Sequence, residues 1–175
     1  MKALIQRVQN AKVTVNGEVI SSIEQGACIL IGICSSDTIK DMEYIVRKIL
    51  SIRIFDGENN KKWQKNVIDK QLEILCVSQF TLYNTWKGNK PDFHKAMAAD
   101  RSKEFYEQFI QKLRDKYKPD KVKDGLFGAY MQVSIQNDGP VTFEIESPSH
   151  NKDNVCKTPD KETEIHESSN GGTII

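Results

Sequence analysis

The chain has 175 residues, with 25 Lys and Arg against 24 Asp and Glu, a formal net charge of +1 and 38% hydrophobic residues. This composition excludes a membrane span, a low-complexity polymer and a strongly basic nucleic-acid-binding protein. The length suits one domain with a substantial core. We expect that domain at residues 1–147 and a polar tail at 148–175, because the sequence after Ser149 lacks aromatic residues and any apolar period.

Cysteine and histidine usage indicates a reduced intracellular protein. None of the four cysteines forms a CxxC pair, and Cys28 and Cys76 lie in apolar runs that favour inert buried thiols. The three histidines are far apart in the sequence, so we expect neither a metal nor another cofactor. The first residues enter a strand pattern without a secretory signal, which predicts a cytoplasmic protein.

The N-terminal region is rich in strand signals. Ala3–Val8 and Lys12–Val15 have strand chemistry, and Asn16-Gly17 joins the second of them to Glu18–Ile20. Asn-Gly between two β-branched runs predicts a hairpin, because both turn positions need a positive φ. The apolar run Gly26–Ile33 predicts a central strand that is covered on both faces.

Two helices and several more strands follow. The apolar residues of 42–50 share one helical stripe that begins after Asp37 or Thr38, and a second stripe predicts a helix over 100–117. Because strands and helices do not alternate strictly, we expect an α+β fold with a largely antiparallel or mixed, barrel-like sheet and two main helices. The remaining predicted strands are Ser51–Phe55, Leu72–Leu82, Tyr130–Gln136 and Val141–Ile145.

The predicted strand over 73–83 ends in polar groups, among them Ser78, Gln79 and Thr81, and runs into a lysine-rich loop at 87–92. Polar side chains and free backbone N–H groups at the end of a buried strand bind carbonyl or phosphate oxygens. The alternative interpretation is that Ser78 and Thr81 are ordinary strand hydroxyls. His94 is a candidate general base because imidazole titrates near neutral pH, but a lone histidine in a polar loop is more often a surface residue.

Two segments have both a structural and a functional interpretation. Asp138-Gly139-Pro140 lies between two predicted strands, which predicts a tight turn, and the Gly-Pro bond is open to either isomer. The basic residues of 112–123 alternate with aspartates, as on a solvated helix end. Together with Lys87 and Lys90 they also suit a surface that contacts RNA phosphates.

Four segments in collinear order resemble one family, and they are MKALIQRV at 1–8, VSQFTL at 77–82, KGNKPDFH at 87–94 and FGAYMQVSIQNDGPVT at 127–142. They are similar to the D-aminoacyl-tRNA deacylases, also called the D-tyrosyl-tRNA deacylase family. These enzymes hydrolyse D-amino acids from mischarged tRNA, a proofreading step in translation. The resemblance covers essentially residues 1–147.

The resemblance implies a homodimer in which Gly139-Pro140, cis in the family, enters the active site of the partner subunit. Its backbone carbonyls exclude the side chain of an L-amino acid, whereas a D-amino acid or glycine fits. D-aminoacyl-tRNA and glycyl-tRNA are therefore the implied substrates. The predicted site residues are Ser78, Gln79, Phe80 and Thr81 for catalysis, Arg7, Met131, Asn137, Gly139 and Pro140 for substrate binding and chiral selectivity, and Lys87, Lys90 and Lys112 for tRNA contact.

Thr81 occupies a position suited to a nucleophile, but no histidine or other base lies in the motif to activate its hydroxyl. We therefore expect a main-chain mechanism. In it, the backbone N–H groups around Phe80 and Thr81 stabilise the oxyanion, and the 2′-OH of the terminal ribose helps to activate water.

Two other functions fit parts of the sequence. A non-catalytic nucleic-acid-binding protein would use the basic surface and the acidic tail, although the intact SQFT and GPVT segments count against it. A hydrolase of a small acylated nucleotide would share the pocket and need no basic surface. Charge reversal at Lys87, Lys90 and Lys112 separates that hydrolase from a tRNA deacylase, because only tRNA turnover should weaken.

Overall fold

The computed structural model describes residues 1–148, so the predicted tail lies outside the described residues apart from its first position. The strands are β1 (Lys2–Val15), β2 (Glu18–Ile23), β3 (Gly26–Gly32), β4 (Glu73–Ser78), β5 (Thr85–Lys87), β6 (Lys90–Asp92), β7 (Val122–Asp124) and β8 (Gln132–Glu146). The α-helices are α1 (Ile39–Ser51) and α2 (Ala99–Lys116), and short 3-10 helices span Glu58–Asn60, Phe80–Tyr83 and Pro119–Lys121.

Strand β1 organises the main sheet. It pairs antiparallel with β8 along one edge, and along the other edge it pairs antiparallel first with β3 and then with β2. Strands β3, β4 and β7 are parallel neighbours, so the sheet is mixed. Val133 and Ile135 of β8 pack in the same apolar cluster as Leu75 and Val77 of β4. This contact curls the sheet into a nearly closed, barrel-like α+β structure, as predicted.

The two helices cover the outer face of the curled sheet. Ala27, Ile29 and Ile31 of β3 pack with the apolar stripes of α1 and α2, whereas Cys28 faces the cluster inside the curl. The continuous apolar run of β3 is thus explained by burial on both faces. Among residues 1–148, no helix has the length and apolar character needed to cross a bilayer.

The local signals for the first hairpin and the first helix are confirmed. Asn16 and Gly17 adopt φ values of 50° and 84° between β1 and β2. Thr38 is the N-cap of α1, and its N–H donates to the Asp41 carboxylate at 2.8 Å in a capping box. Asp37, the other candidate cap, instead accepts a hydrogen bond from the Met1 ammonium group at 2.5 Å.

Three predicted strands or turns are wrong. The segment Ser51–Phe55 is no strand, because Ser51 ends α1 and Phe55 makes only an isolated bridge to Lys65. The strand predicted over Leu72–Leu82 stops at Ser78, where the chain enters a 3-10 helix. The predicted turn at 137–142 is a bulge inside β8, because β1 offers pairing partners on both sides of it.

Candidate active site

A cavity of about 630 Å³ opens where β3 and β4 end. Ile31 and Val77 supply apolar side chains from the two strand ends, and Ala99 and Ser102 line it from the first turns of α2. The loop before β8 closes another side. Of the predicted site residues, the cavity is lined by Ser78, Gln79, Phe80 and Met131.

The Ser78–Thr81 segment forms a sharp strand-to-helix transition at this cavity. Ser78 ends β4, and the Gln79 N–H donates to the Ile31 carbonyl of the neighbouring strand at 2.7 Å. Phe80 and Thr81 then begin a 3-10 helix, and the first N–H groups of a helix have no acceptor within it. The first intrahelical bond runs from the Leu82 N–H to the Gln79 carbonyl at 3.3 Å. The segment therefore presents two backbone donors at the cavity end of the sheet.

Gly32 makes the close approach of β3 to this transition possible. A Cβ at this position would lie 2.9 Å from the Leu82 Cβ and 3.4 Å from the Gln79 carbonyl oxygen. Those atoms belong to backbone or to the root of a side chain, so they cannot move aside cheaply. The absence of a side chain at the end of β3 fixes where the donors of Phe80 and Thr81 lie.

Thr81 itself is engaged in local hydrogen bonds. Its hydroxyl accepts from the Gln79 side-chain amide, and its carbonyl accepts from the Asn84 side-chain amide at 2.8 Å. Thr81 is half-buried and does not line the cavity wall. Among the described residues, no histidine or carboxylate hydrogen-bonds to this hydroxyl. Within the described residues, the Thr81 hydroxyl therefore has Gln79 as a hydrogen-bond partner but has no general base that would activate it as a nucleophile.

Aromatic side chains form the rim of the cavity. Phe80 is 57% exposed and meets Phe93 edge to face, with ring centroids 5.0 Å apart. Tyr130, which is 88% exposed, also lines the cavity. Exposed rings at the mouth of an apolar cavity suit a ligand with flat, aromatic surfaces.

Gly139 and Pro140 lie on the bulge of β8, and their peptide bond is cis. Val8 pairs with Asn137 and Arg7 pairs with Val141, so residues 138–140 project from the ladder without a partner on β1. Both Gly139 and Pro140 are exposed. The motif is therefore a protrusion from the sheet, and not a wall of the cavity.

The buried Arg7 side chain ties this protrusion to the body of the protein. Its Nη1 donates to the Ile54 carbonyl at 2.8 Å, and its Nε donates to the Asp138 carbonyl at 3.2 Å. The same Nε lies 3.1 Å from the Asp138 carboxylate. Arg7 thus contacts the residue immediately before Gly139, where the resemblance had predicted a supporting role.

The protrusion and the cavity are separated within one chain. Val133, which lines the cavity, precedes Gly139 by six residues of β8. At roughly 3.3 Å per residue this corresponds to about 20 Å along the strand. Asn137 is exposed in the ladder opposite Val8 and does not line the cavity either. The structure therefore brings together the predicted catalytic segment with Met131, and separately Arg7 with Gly139-Pro140.

The predicted tRNA-contacting lysines also divide into two places. Lys87 and Lys90 are exposed on the β5–β6 hairpin, which leads directly into the cavity rim. Lys112 lies on α2, ten residues after the cavity-lining Ser102, or about 15 Å further along the helix. It pairs there with Glu43 at 2.5 Å. Only the two hairpin lysines lie beside the cavity.

Asp92 organises the hairpin electrostatically. It accepts from the Lys87 ammonium group at 2.5 Å and from the ring and backbone N–H of His94. Hydrogen bonds from Lys87 and His94 hold the pKa of the Asp92 carboxyl well below its usual value. The His94 ring is exposed and outside the cavity lining, so the structure supports the surface interpretation of this histidine.

The buried cysteines offer no reactive thiolate. Burial raises the pKa of the Cys28 thiol to about 11 and raises that of the Cys76 thiol well above its usual value. Both side chains are therefore neutral at physiological pH, in agreement with the prediction of inert core thiols. Within residues 1–148 no group of three His, Cys, Asp or Glu side chains is arranged to hold a metal ion.

Most of the cavity lining beyond Ser78, Gln79, Phe80 and Met131 was not predicted from the sequence, and three of the other residues show why. Phe93 and Tyr130 lie inside segments that carry the family resemblance, yet no local pattern assigns them to the cavity. Their only signal is an aromatic residue in an otherwise polar or small-residue loop. Ser102 gives no signal at all, because it is one polar residue on an amphipathic helix.

A second concavity, of about 920 Å³, lies between the start and the end of the described chain. There the Met1 ammonium group donates to Asp37 and to the Ser147 hydroxyl, at 2.5 and 2.7 Å. Burial raises the pKa of Asp37, and the hydrogen bond from the ammonium group opposes that shift. None of the predicted site residues lies here, and the hydrogen bond from Met1 to Ser147 joins the two ends of the described chain.

Comparisons with known proteins agree with this geometry. The model of the family described as D-Tyr-tRNA(Tyr) deacylase matches residues 4–146. The chain is 60% identical to "D-aminoacyl-tRNA deacylase 1" of Bos taurus over 149 residues, which cover 85% of this chain and 71% of the relative. It is 60% identical to "D-aminoacyl-tRNA deacylase" of Drosophila melanogaster over 148 residues, which cover 85% and 93%.

Solved structures give the same result for the fold. One, titled "c-Myc DNA Unwinding Element Binding Protein", superposes with a TM-score of 0.83 at 59% identity and covers 85% of this chain and 100% of that one. A second, a probable eukaryotic D-amino acid tRNA deacylase, shares the fold with a TM-score of 0.69 at 19% identity, covering 82% and 98%. The barrel-like α+β fold is shared with these structures, and the matched family and curated relatives are deacylases, a class of hydrolase. The chain belongs to the D-Tyr-tRNA(Tyr) deacylase family.

Proposed function

We propose that this chain is a D-aminoacyl-tRNA deacylase, which hydrolyses the ester bond between a D-amino acid and the terminal ribose of tRNA. The observation that carries the proposal is the pair of backbone donors at Phe80 and Thr81, held at the end of β4 beside an apolar cavity. Family membership and relatives of that name support the same reaction. We place this activity in the cytoplasm.

The mechanism uses main-chain atoms. Water attacks the ester carbonyl carbon, and the N–H groups of Phe80 and Thr81 stabilise the negative charge that develops on the carbonyl oxygen. The ribose 2′-OH helps to activate the attacking water by accepting its proton and passing its own proton to the ribose oxygen of the ester. The bond from the carbonyl carbon to that oxygen then breaks, which leaves a free amino acid and a tRNA with both terminal hydroxyls. Ser78 and Gln79 line the cavity around the reacting ester.

Selection against L-amino acids needs a second subunit. The Gly139-Pro140 protrusion is exposed and lies about 20 Å along β8 from its own cavity, so it does not reach that cavity. We propose that the chain forms a homodimer in which each protrusion enters the partner's cavity. Rigid backbone carbonyls placed against Cα exclude an L side chain and admit D-amino acids and glycine, which makes glycyl-tRNA a second substrate.

Arg7 and Met131 support this selection from either side. Arg7 fixes the carbonyl and the carboxylate of Asp138 and so limits the movement of the protrusion. Met131 lines the cavity that receives the amino acid. Asn137 holds the base of the bulge through its pairing with Val8. Lys90 contacts tRNA phosphates at the rim, and Lys87 contributes less there because Asp92 pairs with it. Lys112 contributes least, because it is paired with Glu43 and lies further from the cavity.

The first test compares deacylation of matched D-Tyr-tRNA and L-Tyr-tRNA by the purified protein in the presence of a metal chelator. Fast release of D-tyrosine with the L-ester spared is the expected result. If neither ester is cleaved although tRNA binds, the deacylase proposal is wrong. If both esters are cleaved at similar rates, the proposed hydrolysis is supported, but the proposed selection against L-amino acids is wrong.

Thr81→Ala distinguishes the main-chain mechanism from a threonine nucleophile. Because the hydroxyl is bonded to Gln79 and the backbone donor is retained in alanine, we expect kcat to fall by no more than about tenfold, the scale of one lost neutral hydrogen bond. Rates are measured on D-Tyr-tRNA in single-turnover experiments. Complete loss of activity with unchanged substrate binding would establish the nucleophile instead.

Nucleic-acid binding without catalysis is the second candidate. It is favoured by the printed title of one structural relative, which names a binding protein for a DNA unwinding element. Hydrolysis of a small acylated nucleotide is the third. Lys90→Glu should weaken turnover of the tRNA ester, and Lys112→Glu should weaken it less, because Lys112 lies about 15 Å further along α2 than the cavity-lining Ser102. If Lys90→Glu does not alter tRNA turnover, the small-substrate hydrolase is preferred.

A further inference from the structure

Trp86 is a large aromatic side chain that the fold does not use. It is 68% exposed, in the two-stranded sheet formed by β5 and β6, opposite Pro91. This small sheet is separate from the main barrel-like sheet. Indole rings usually contribute to stability through burial, so a ring this exposed leaves an aromatic face open to a partner.

The hairpin that carries this ring connects two segments of the cavity rim. Strand β5 follows the 3-10 helix that begins at Phe80, and β6 leads into Phe93, which lines the cavity and contacts Phe80. Pro91 precedes Phe93 by two residues, or about 7 Å of extended chain. A flexible polymer whose end lies in the cavity would therefore pass Trp86 as it leaves.

The charge of the hairpin identifies the kind of polymer. The segment 85–95 contains Lys87, Lys90 and Lys95 against the single carboxylate of Asp92. Asp92 pairs with Lys87, which leaves an excess of positive charge on an exposed turn. An exposed aromatic ring flanked by lysines is the arrangement with which proteins bind single-stranded nucleic acid, the ring stacking on a base and the lysines contacting phosphates.

We propose that Trp86 stacks on an unpaired base of the 3′-terminal single strand of tRNA, while Lys90 contacts the adjacent phosphate. The inference rests on the proposed function, because it assigns the polymer that leaves the cavity. It adds a stacking site that anchors the RNA outside the reacting ester. A stack of this kind accounts for roughly a 5- to 150-fold change in dissociation constant.

The test uses unacylated RNA, so its result does not depend on hydrolysis. The chain has two tryptophans, and Trp63→Phe leaves Trp86 as the only one. We expect the fluorescence of this variant to be quenched on titration with a short single-stranded oligoribonucleotide ending in CCA, with affinity falling as salt rises. Trp86→Leu should raise the dissociation constant about 5- to 150-fold, and Trp86→Phe should restore most of the affinity because it keeps a ring.

Each result decides the proposal. Equal RNA affinities for Trp86→Leu and Trp86→Phe, measured by anisotropy of labelled RNA, would overturn the stack. Binding without quenching would overturn it too. If RNA quenches Trp86 fluorescence and Trp86→Phe restores RNA affinity, but the protein cleaves no D-Tyr-tRNA, then the stacking proposal is supported and the deacylase proposal is refuted. Thermal melting of the two Trp86 variants shows whether they are equally folded.

Discussion

The cavity and the Gly139-Pro140 protrusion are built in opposite ways. The cavity is concave, apolar and formed at the ends of two parallel strands, with N–H donors at its edge. The protrusion is convex, exposed and carried by an edge strand, and the buried Arg7 fixes its base. In the proposed function, both regions act through backbone groups. Recognition through the backbone does not depend on which side chain the substrate carries.

In the proposed function the two regions also divide the work, since one supplies the chemistry and the other the choice of substrate. A substitution at the cavity should therefore lower the rate for every ester. A substitution at the protrusion should alter the ratio of rates for D- and L-esters. Variants at glycines of each region test this division directly.

Gly32→Ala should have the largest effect. Its Cβ would lie 2.9 Å from the Leu82 Cβ, which forces the 3-10 helix and its two donors away from the ester. A misplacement of about 1 Å costs on the order of 100-fold in rate, so kcat for D-Tyr-tRNA should fall by that amount. Gly57→Ala is the matched control, because its Cβ would be 2.8 Å from the Gln64 Cβ at a site outside the cavity. Similar kcat values for the two variants would contradict the assignment of the donors.

Gly139→Ala should change selectivity more than rate. The residue has a φ of 109°, and an added Cβ would lie 2.9 Å from the Arg7 Nη2, so the protrusion must shift. Such a conformation costs a non-glycine residue about 1–3 kcal/mol. We expect the ratio of D- to L-Tyr-tRNA hydrolysis to fall at least about tenfold. Gly17→Ala, with a φ of 84° and open space around its Cβ, controls for strain alone. If Gly139→Ala leaves the ratio of D- to L-Tyr-tRNA hydrolysis unchanged, the protrusion does not determine the selection against L-amino acids.

Asp92→Asn should have the smallest effect, and it should act on affinity alone. Removing this carboxylate releases Lys87 for phosphate contact, so the dissociation constant for tRNA should fall about two- to threefold with a steeper salt dependence. In the parent protein the pKa of the Asp92 carboxyl is lowered. The stabilisation from its hydrogen bonds with Lys87 and His94 is therefore fully present above the usual pKa of 3.8 and is lost only as pH falls through the lowered pKa. Affinity should not vary through Asp92 between pH 5 and pH 8. A change in kcat would show that the hairpin acts on catalysis.

Features with a local cause could be predicted from the sequence. The Asn16-Gly17 hairpin follows from the positive φ that both residues adopt, and α1 follows from its apolar period and the cap at Thr38. The apolar run of β3 is sufficient to indicate burial on both faces. The predicted catalytic segment and the Gly139-Pro140 motif were located through the family resemblance, and the structure adds their positions.

Features that depend on distant partners could not be predicted. The β-branched residues of 52–55 suit a strand, but the main sheet offers that segment no neighbour. The segment around Gly139-Pro140 has the chemistry of a turn, yet the length of β1 keeps β8 paired on both sides of it. The cavity lining from Phe93 and Ser102 depends on where the β5–β6 hairpin and α2 lie against the sheet. Short-range patterns contain none of this information.

The long pairing of β1 with β8 has a consequence for synthesis of the protein. Lys2 pairs with Glu146, so one edge of the first strand stays open until almost the last described residue has been made. At roughly 5–20 residues per second, translation of that interval takes on the order of ten seconds. Any sheet that β1 forms with β2 and β3 before then has an exposed edge, which is a template for pairing with other nascent chains. The barrel-like sheet can close only after the ribosome has released β8, which makes completion of the fold a late event.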